Sequence, residues 1–302
     1  MRPEDGASVR HRDLTSQTVL VTGATGGVGR EVALALGRLG ADVLVHGRDR
    51  DRGEAVASNL RDRGSDAEFL RADFADLDAV AGLAEAVRER TDDLDVLVNN
   101  AGTHFDDGWL TEAGVEATFH VNHLAPFALT TALQGHLADD GRVVTVASEV
   151  HRRADLDLGD VESVAAGDYD GFAAYSRSKL ANVLFTRELS RRLDGPGAVS
   201  CHPGFVPDSG LWRNSSLPVR AVMRVFSLLP RTLTFGRVDT AASAAVTPTF
   251  LAAAESVESG AYYRDCQPVE PSEAAQRNDL AEELWSWSEA AVDRHWERPA
   301  EH

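Results

Sequence analysis

Near the start of this chain, a short apolar run, Thr18–Val21, leads into Thr22-Gly23-Ala24-Thr25-Gly26-Gly27-Val28-Gly29-Arg30. An amphipathic stretch, Gly29–Leu39, follows at once and is closed by Gly40. A strand that enters a helix through a glycine-rich turn belongs to few architectures. Glycines allow the tight turn and let backbone N–H groups approach a pyrophosphate at the helix N-terminus. The order of strand, loop and helix makes a dinucleotide the expected ligand, with Thr22, Gly23, Thr25, Gly27, Val28 and Gly29 around it.

The pattern then repeats. Asp42–His46 reads as a strand and about 51–63 as a charged helix. Ala67–Leu70 is a strand, and Leu77–Arg90 carries apolar residues at helical spacing. Asp95–Val98 and Arg142–Ala147 read as buried strands, separated by a helix that contains Val121–Leu133. Tyr175–Leu193 is a long helix and Ala198–Cys201 a further strand. Such alternation predicts an α/β fold, a doubly wound parallel sheet of the Rossmann type with helices on both faces. It also predicts one domain over 15–302 and a flexible N-terminal segment over 1–14.

Where the second strand ends, an acidic residue would bind the ribose 2′-hydroxyl of NAD and repel a 2′-phosphate. The chain has His46-Gly47-Arg48 there. The Arg48 guanidinium suits a phosphate, so NADP(H) is expected over NAD(H).

The 302 residues carry 48 acids, 30 basic residues and a formal charge of −18, and the single lysine is Lys179. This charge argues against nucleic acid as a partner. Acidity with almost no lysine points to a halophilic protein, in which carboxylates keep the surface hydrated at molar salt, or to a GC-rich genome, which alone favours arginine over lysine. Two cysteines, an N-terminus without an apolar leader and the lack of a membrane span point to a cytoplasmic protein. Lys179 follows Tyr175 by four residues, on the same face of a helix. An ammonium beside a phenol favours phenolate, so Lys179 is expected to lower the Tyr175 pKa.

With these residues in place, the chain resembles the short-chain dehydrogenase/reductases from about Gln17 to Val292. Asp73 and Phe74 stand where that family contacts adenine. Asn99-Asn100-Ala101-Gly102 is similar to its cofactor-lining segment, and His202-Pro203-Gly204, followed by Val206, to its segment beside the nicotinamide. Asn122, Ser148, Tyr175 and Lys179 match its catalytic positions. Within the superfamily, Tyr175-Ser-Arg-Ser-Lys179-Leu-Ala-Asn-Val-Leu-Phe-Thr-Arg-Glu-Leu189 and Cys201-His-Pro-Gly204 resemble the retinol dehydrogenase-like branch. Residues 205–213 bear a lesser likeness to protochlorophyllide reductase.

The resemblance implies an enzyme that transfers hydride between a nicotinamide and a carbonyl or alcohol carbon. Ser148 would position the substrate oxygen and Tyr175 would act as general acid/base. Lys179 would also hold the nicotinamide ribose, and Asn122 would interrupt its helix and hold a water. A homo-oligomer is implied as well. The alternative is a non-catalytic NADP(H)-sensing protein on the same fold.

Ser209–Val238 has five arginines and no acid, and Val219–Leu229 within it reads as an amphipathic helix. The resemblance implies that about 205–238 forms a substrate lid, and three readings stay open for it: a cover over a lipophilic substrate, a subunit or weak membrane-surface contact, and ordinary packing. His104 and His151 are candidates for the substrate mouth. His120 and His123 lack the further ligands a metal would need, so no metal is expected. Trp285 and Trp287 read as packing anchors.

Overall fold

A computed structural model describes residues 1–164, 169–207, 210 and 239–297. Among these, eight strands form one sheet in the order β3-β2-β1-β4-β5-β6-β7-β8. They are β1 Thr18–Val21, β2 Asp42–Gly47, β3 Ala67–Arg71, β4 Leu94–Asn99, β5 Leu137–Val146, β6 Gly197–His202, β7 Tyr262–Arg264 and β8 Gln267–Val269. All neighbours are parallel except β7 and β8, which form an antiparallel hairpin. The first six strands stand where the apolar runs place them. β5 starts five residues earlier than expected, because its register against β4 shifts between Leu94 and Val96.

The helices are α1 Pro3–Gly6, α2 Gly27–Arg38, α3 Arg50–Arg61, α4 Leu77–Arg88, α5 Ala117–Phe119, α6 Ala125–Leu133, α7 Gly171–Arg192, α8 Ala241–Ala244, α9 Val246–Ala253 and α10 Asn278–Trp296. Aspartates begin three of them. Asp49, Asp76 and Asp170 accept first-turn N–H groups of α3, α4 and α7, which would otherwise lack partners. Two apolar cores result, one on each face of the sheet. Helices α4, α6, α7 and α10 enclose the first, and α2, α3 and α9 the second. In the first core Trp285 of α10 lies parallel to Phe185, and its edge meets Phe127 at 5.0 Å. Each such ring contributes about 0.5–1.5 kcal/mol beyond its area burial. Trp287 packs edge-on against Phe119, so both tryptophans are the anchors expected.

The first fourteen residues depart from expectation. Rather than forming a flexible end, they lie against the second core with Ala7, Val9 and Leu14 buried. Glu4 is 3% exposed and takes a two-pronged hydrogen bond from Arg38 of α2, at 2.6 and 2.8 Å. This pair and the buried apolar residues hold the segment against the body of the chain. No helix among the described residues is long and apolar enough to cross a membrane.

Candidate active site

The carboxyl ends of β1, β2, β4, β5 and β6 open into one cleft of about 630 Å³. It lies where the strand order reverses between β1 and β4, the crevice that parallel α/β sheets offer to ligands. Thr22 and Asn100 join the two strand ends there. The Thr22 hydroxyl accepts the Asn100 and Ala101 N–H groups, each at 3.0 Å, and donates to the Val98 carbonyl. The Asn100 amide donates back to the Thr22 carbonyl at 2.8 Å. Side chains at Gly23 or Gly29 would break this join. A Cβ on Gly23 would come within 2.8 Å of the Ala101 backbone, and one on Gly29 within 2.3 Å of the Asn100 amide. At Gly26 and Gly27 a Cβ would meet nothing within 4 Å, and no side chain caps the start of α2. Open space in front of uncapped N–H groups fits the pyrophosphate of a dinucleotide.

At one end of the cleft lie Thr25, Val28, Arg48, Asp73 and Phe74. The Arg48 guanidinium stands 3.5 Å from the Asp73 carboxylate, and both are about half exposed, so solvent weakens the pair. Two more residues of this end escaped sequence reasoning, His46 and Arg52. His46 stacks on Phe74 at 4.6 Å and meets the Ala72 carbonyl at 3.2 Å through Nε2. Burial lowers its pKa to about 4, so it is neutral. Its signal was the lack of polar neighbours in β2. Arg52 carried no signal beyond lying one helical turn past Arg48.

The other end holds Ser148, just beyond β5, with Tyr175 and Lys179 from α7. The Ser148 and Tyr175 side chains face the same end of the cleft, and the serine hydroxyl is near enough to favour phenolate slightly. Lys179 is buried, and its ammonium donates to the Val146 carbonyl at 3.0 Å. The expected lowering of the phenol is not found. Burial pushes Tyr175 above its ordinary value, against a smaller opposing effect of the Ser148 hydroxyl. Burial likewise lowers Lys179 to about 8. The ammonium lies 5.6 Å from the ring centre and is engaged elsewhere, so desolvation prevails over the charge.

Ala101, Gly102, Pro203, Gly204 and Val206 line the same cleft. Thr22 and Asn122 do not, because they stand behind its wall. Asn122 sits in a π-helical turn, His120–Leu124, that interrupts the helix between α5 and α6 as expected. Its side chain accepts the Thr103 N–H at 2.7 Å and donates to the Thr103 carbonyl and to Ser178. These bonds tie the segment after β4 to the π-helical turn, and the turn to α7. Gly102 lies between Asn122 and Lys179, with both side chains within 3.6 Å of where its Cβ would project.

Two histidines expected at the mouth lie elsewhere. His151 is fully buried behind Ser148, and His104 is buried with its ring edge toward Tyr175 at 6.0 Å. His120 meets the Thr111 hydroxyl and His123 the Ser288 hydroxyl, both inside the core. Further apolar residues lining the cleft include Phe105, Val121, Val150, Phe172 and Phe205, and the last two are partly open to solvent. Asp208 and the expected lid helix Val219–Leu229, with Arg213, Arg220, Arg224, Arg231 and Arg237, lie outside the described residues.

The sequence profile of the short chain dehydrogenase family matches residues 17–155. Retinol dehydrogenase 14 of Mus musculus is 37% identical over 294 residues, which span 91% of this chain and 86% of that protein. The crystal structure of an uncharacterised protein from Mycobacterium Paratuberculosis superposes with a TM-score of 0.73 at 31% identity, covering 93% of this chain and 95% of that one. The angucycline C-6 ketoreductase LanV with bound NADP gives a TM-score of 0.63 at 30% identity, covering 83% and 94%. Likeness of this extent, on a cleft built as described, makes the chain an oxidoreductase of the short-chain dehydrogenase family, in its retinol dehydrogenase-like branch.

Proposed function

We propose that this chain is an NADP(H)-dependent enzyme that interconverts a carbonyl and an alcohol on a lipophilic substrate. The observation that carries the reading is one cleft with two chemically different ends. Open space before the glycine loop and the Arg48 guanidinium mark one, and Ser148, Tyr175 and Lys179 the other. Binding of NADP in LanV, a ketoreductase on the same fold, supports the cofactor choice. The non-catalytic alternative is not favoured for a chain that belongs to a family of oxidoreductases.

The cofactor, when bound, supplies or accepts the hydride at its nicotinamide ring. Gly26 and Gly27 leave room for its phosphates, and Arg48 would hold the 2′-phosphate. Ser148 donates a hydrogen bond to the substrate oxygen and holds the reacting carbon in register. In reduction Tyr175 gives its phenolic proton to that oxygen, and in oxidation the phenolate takes one back. The phenol is neutral at rest, and burial reinforces that form, which suits a proton donor. Lys179, fixed on Val146, offers its ammonium to the nicotinamide ribose. Phe105, Phe172 and Phe205 give the substrate an apolar wall, which favours a bulky hydrocarbon skeleton over a small polar one. The two cysteines are unpaired, which fits a cytoplasmic setting.

Following NADPH absorbance with a panel of ketones, aldehydes and alcohols, at low and high KCl, tests this reading. Turnover of retinoid or polycyclic ketones with NADPH, and much slower turnover with NADH, is expected. Equal use of NADH, or turnover confined to small hydrophilic carbonyls, would overturn it.

A further inference from the structure

Ser148 lies beyond the sheet that precedes it. The β5–β6 ladder ends at Val146–Cys201, and the last backbone bond in register runs from the Ala147 N–H to the Cys201 carbonyl. Ser148 itself is extended, and a 3-10 turn over Glu149–Arg153 starts from it. The position of its hydroxyl therefore depends on what holds that turn.

His151 holds it from inside. The ring is fully buried and takes no part in the cleft. Its Nδ1 lies 2.6 Å from the Ser148 carbonyl oxygen. Its Nε2 lies 3.1 Å from the backbone nitrogen of Ser272, on the segment after β8. A backbone N–H can only donate and a carbonyl can only accept, so one tautomer satisfies both, with the proton on Nδ1. Burial lowers the imidazole pKa, which keeps the Nε2 lone pair available at neutral pH.

The same C-terminal segment grips the rest of the turn. Tyr262 stands edge-on to the His151 ring at 4.8 Å and donates its hydroxyl to Glu149 at 2.9 Å. Arg152 donates to the Glu270 carbonyl at 2.5 Å. Three positions of the turn, Glu149, His151 and Arg152, are thus tied to residues more than a hundred positions later.

We propose that His151 is a positioning residue for catalysis, a neutral Nδ1–H imidazole that fixes the Ser148 peptide against the C-terminal segment and so sets where the Ser148 hydroxyl meets the substrate oxygen. This rests on the reading of Ser148 as the group that holds that oxygen. A misplacement of about 1 Å at such a site costs up to about a hundredfold in rate.

Three substitutions separate positioning from simple stability. In His151→Asn the side-chain amide can take the place of Nδ1 and keep the bond to Ser148. In His151→Gln the amide reaches the place of Nε2 and loses that bond, and His151→Ala loses both. On a carbonyl that the wild type reduces, kcat is expected to fall about tenfold or more in His151→Gln and His151→Ala, and to stay within about threefold in His151→Asn. NADPH affinity should change less than about twofold throughout. If kcat follows melting temperature, whichever bond is kept, or stays at the wild-type level in all three, the proposal is overturned. Ser148→Ala is the control. If it keeps wild-type turnover, the reading of Ser148 fails and takes this inference with it; if it is inactive while His151→Gln is normal, only the inference fails. Should the variants not fold, 15N NMR of the wild-type ring decides, because an Nε2–H tautomer at neutral pH is incompatible with the proposal.

Discussion

Lys179 stands one helical turn from Tyr175, 5.6 Å from the centre of its ring, yet spends a hydrogen bond on the Val146 carbonyl rather than on the phenol. The ammonium is therefore held at a fixed place beneath the cleft. Arginine should not substitute for it, since a planar guanidinium is larger and its donors point elsewhere. We predict that Lys179→Arg lowers kcat about a hundredfold or more. Tyr175→Phe should cost about 10³-fold while NADPH affinity stays within about threefold, because only the proton donor is lost. Steady-state rates with calorimetric titration of the cofactor check both, and near-normal turnover in either variant would reassign the proton transfer.

Arg48 shares its guanidinium with Asp73 across 3.5 Å, at the edge of the cleft. Arg48→Ala is expected to weaken NADPH about tenfold or more and to leave NADH almost unchanged, since a charge-assisted bond to phosphate is worth about 1.5–3 kcal/mol. Parallel titrations of the two cofactors provide the comparison. An equal loss for both would mean that Arg48 supports the loop rather than reading the 2′-phosphate.

Three buried histidines, His46, His120 and His123, have pKa values lowered by burial to about 4, 4 and 3 from an ordinary 6.5. The unfolded chain binds more protons between those values, so stability present above 6.5 is lost as the pH falls toward 4. At pH 5 each neutral histidine costs about 2 kcal/mol relative to its unfolded form. Acidification toward the sequence pI of 4.9 also relieves the repulsion among carboxylates, which acts in the opposite direction. A substitution separates the two effects. His123→Phe keeps an aromatic ring among Phe119, Phe127 and Phe185, and Ser288 still donates to the Leu284 carbonyl. Its stability should fall less than that of the wild type between pH 7 and 5. Urea unfolding across that range checks this, and parallel curves would show that His123 does not titrate on unfolding.

At −18, the folded chain repels itself. Salt shortens the reach of that repulsion from about 10 Å at 0.1 M to about 3 Å at 1 M. Melting temperature and turnover should both rise as KCl approaches molar concentration. Pairs such as Arg12–Glu255 and Arg90–Glu68 will weaken, but exposed pairs contribute little. A melting temperature that is flat or falls with salt would leave the missing lysines without a halophilic cause.

The strands and the glycine loop could be read from the sequence because both are local. β1 to β6 are apolar runs, and the turn at Gly23–Gly29 needs a composition that little else requires. The β7–β8 hairpin could not be read. Its strands have three residues each, and its two-residue turn places Asp265 and Cys266 at positive φ, where glycine or asparagine would have been the signal. The N-terminal segment was misread for a related reason, since the partner of Glu4 lies 34 residues away. At the site, Tyr175, Lys179 and Ser148 announce themselves by type and spacing. The direction in which burial shifts Tyr175 and Lys179 is a property of the surrounding volume, which spacing does not describe. His151 shows the same limit: its type drew attention, and only the fold reveals that it faces away from the cleft.

The join between Thr22 and Asn100 has a consequence for how a nucleotide is received. A glycine-rich loop is the part of a chain with the most conformational freedom to lose, at about 1–2 kcal/mol for each residue fixed. Here the entry of the loop is pinned in both directions, by Thr22 to the Asn100 and Ala101 amides and by the Asn100 side chain to the Thr22 and Gly23 carbonyls. The entropy of ordering is thus spent when the chain folds, and the phosphate cradle meets its ligand already in shape.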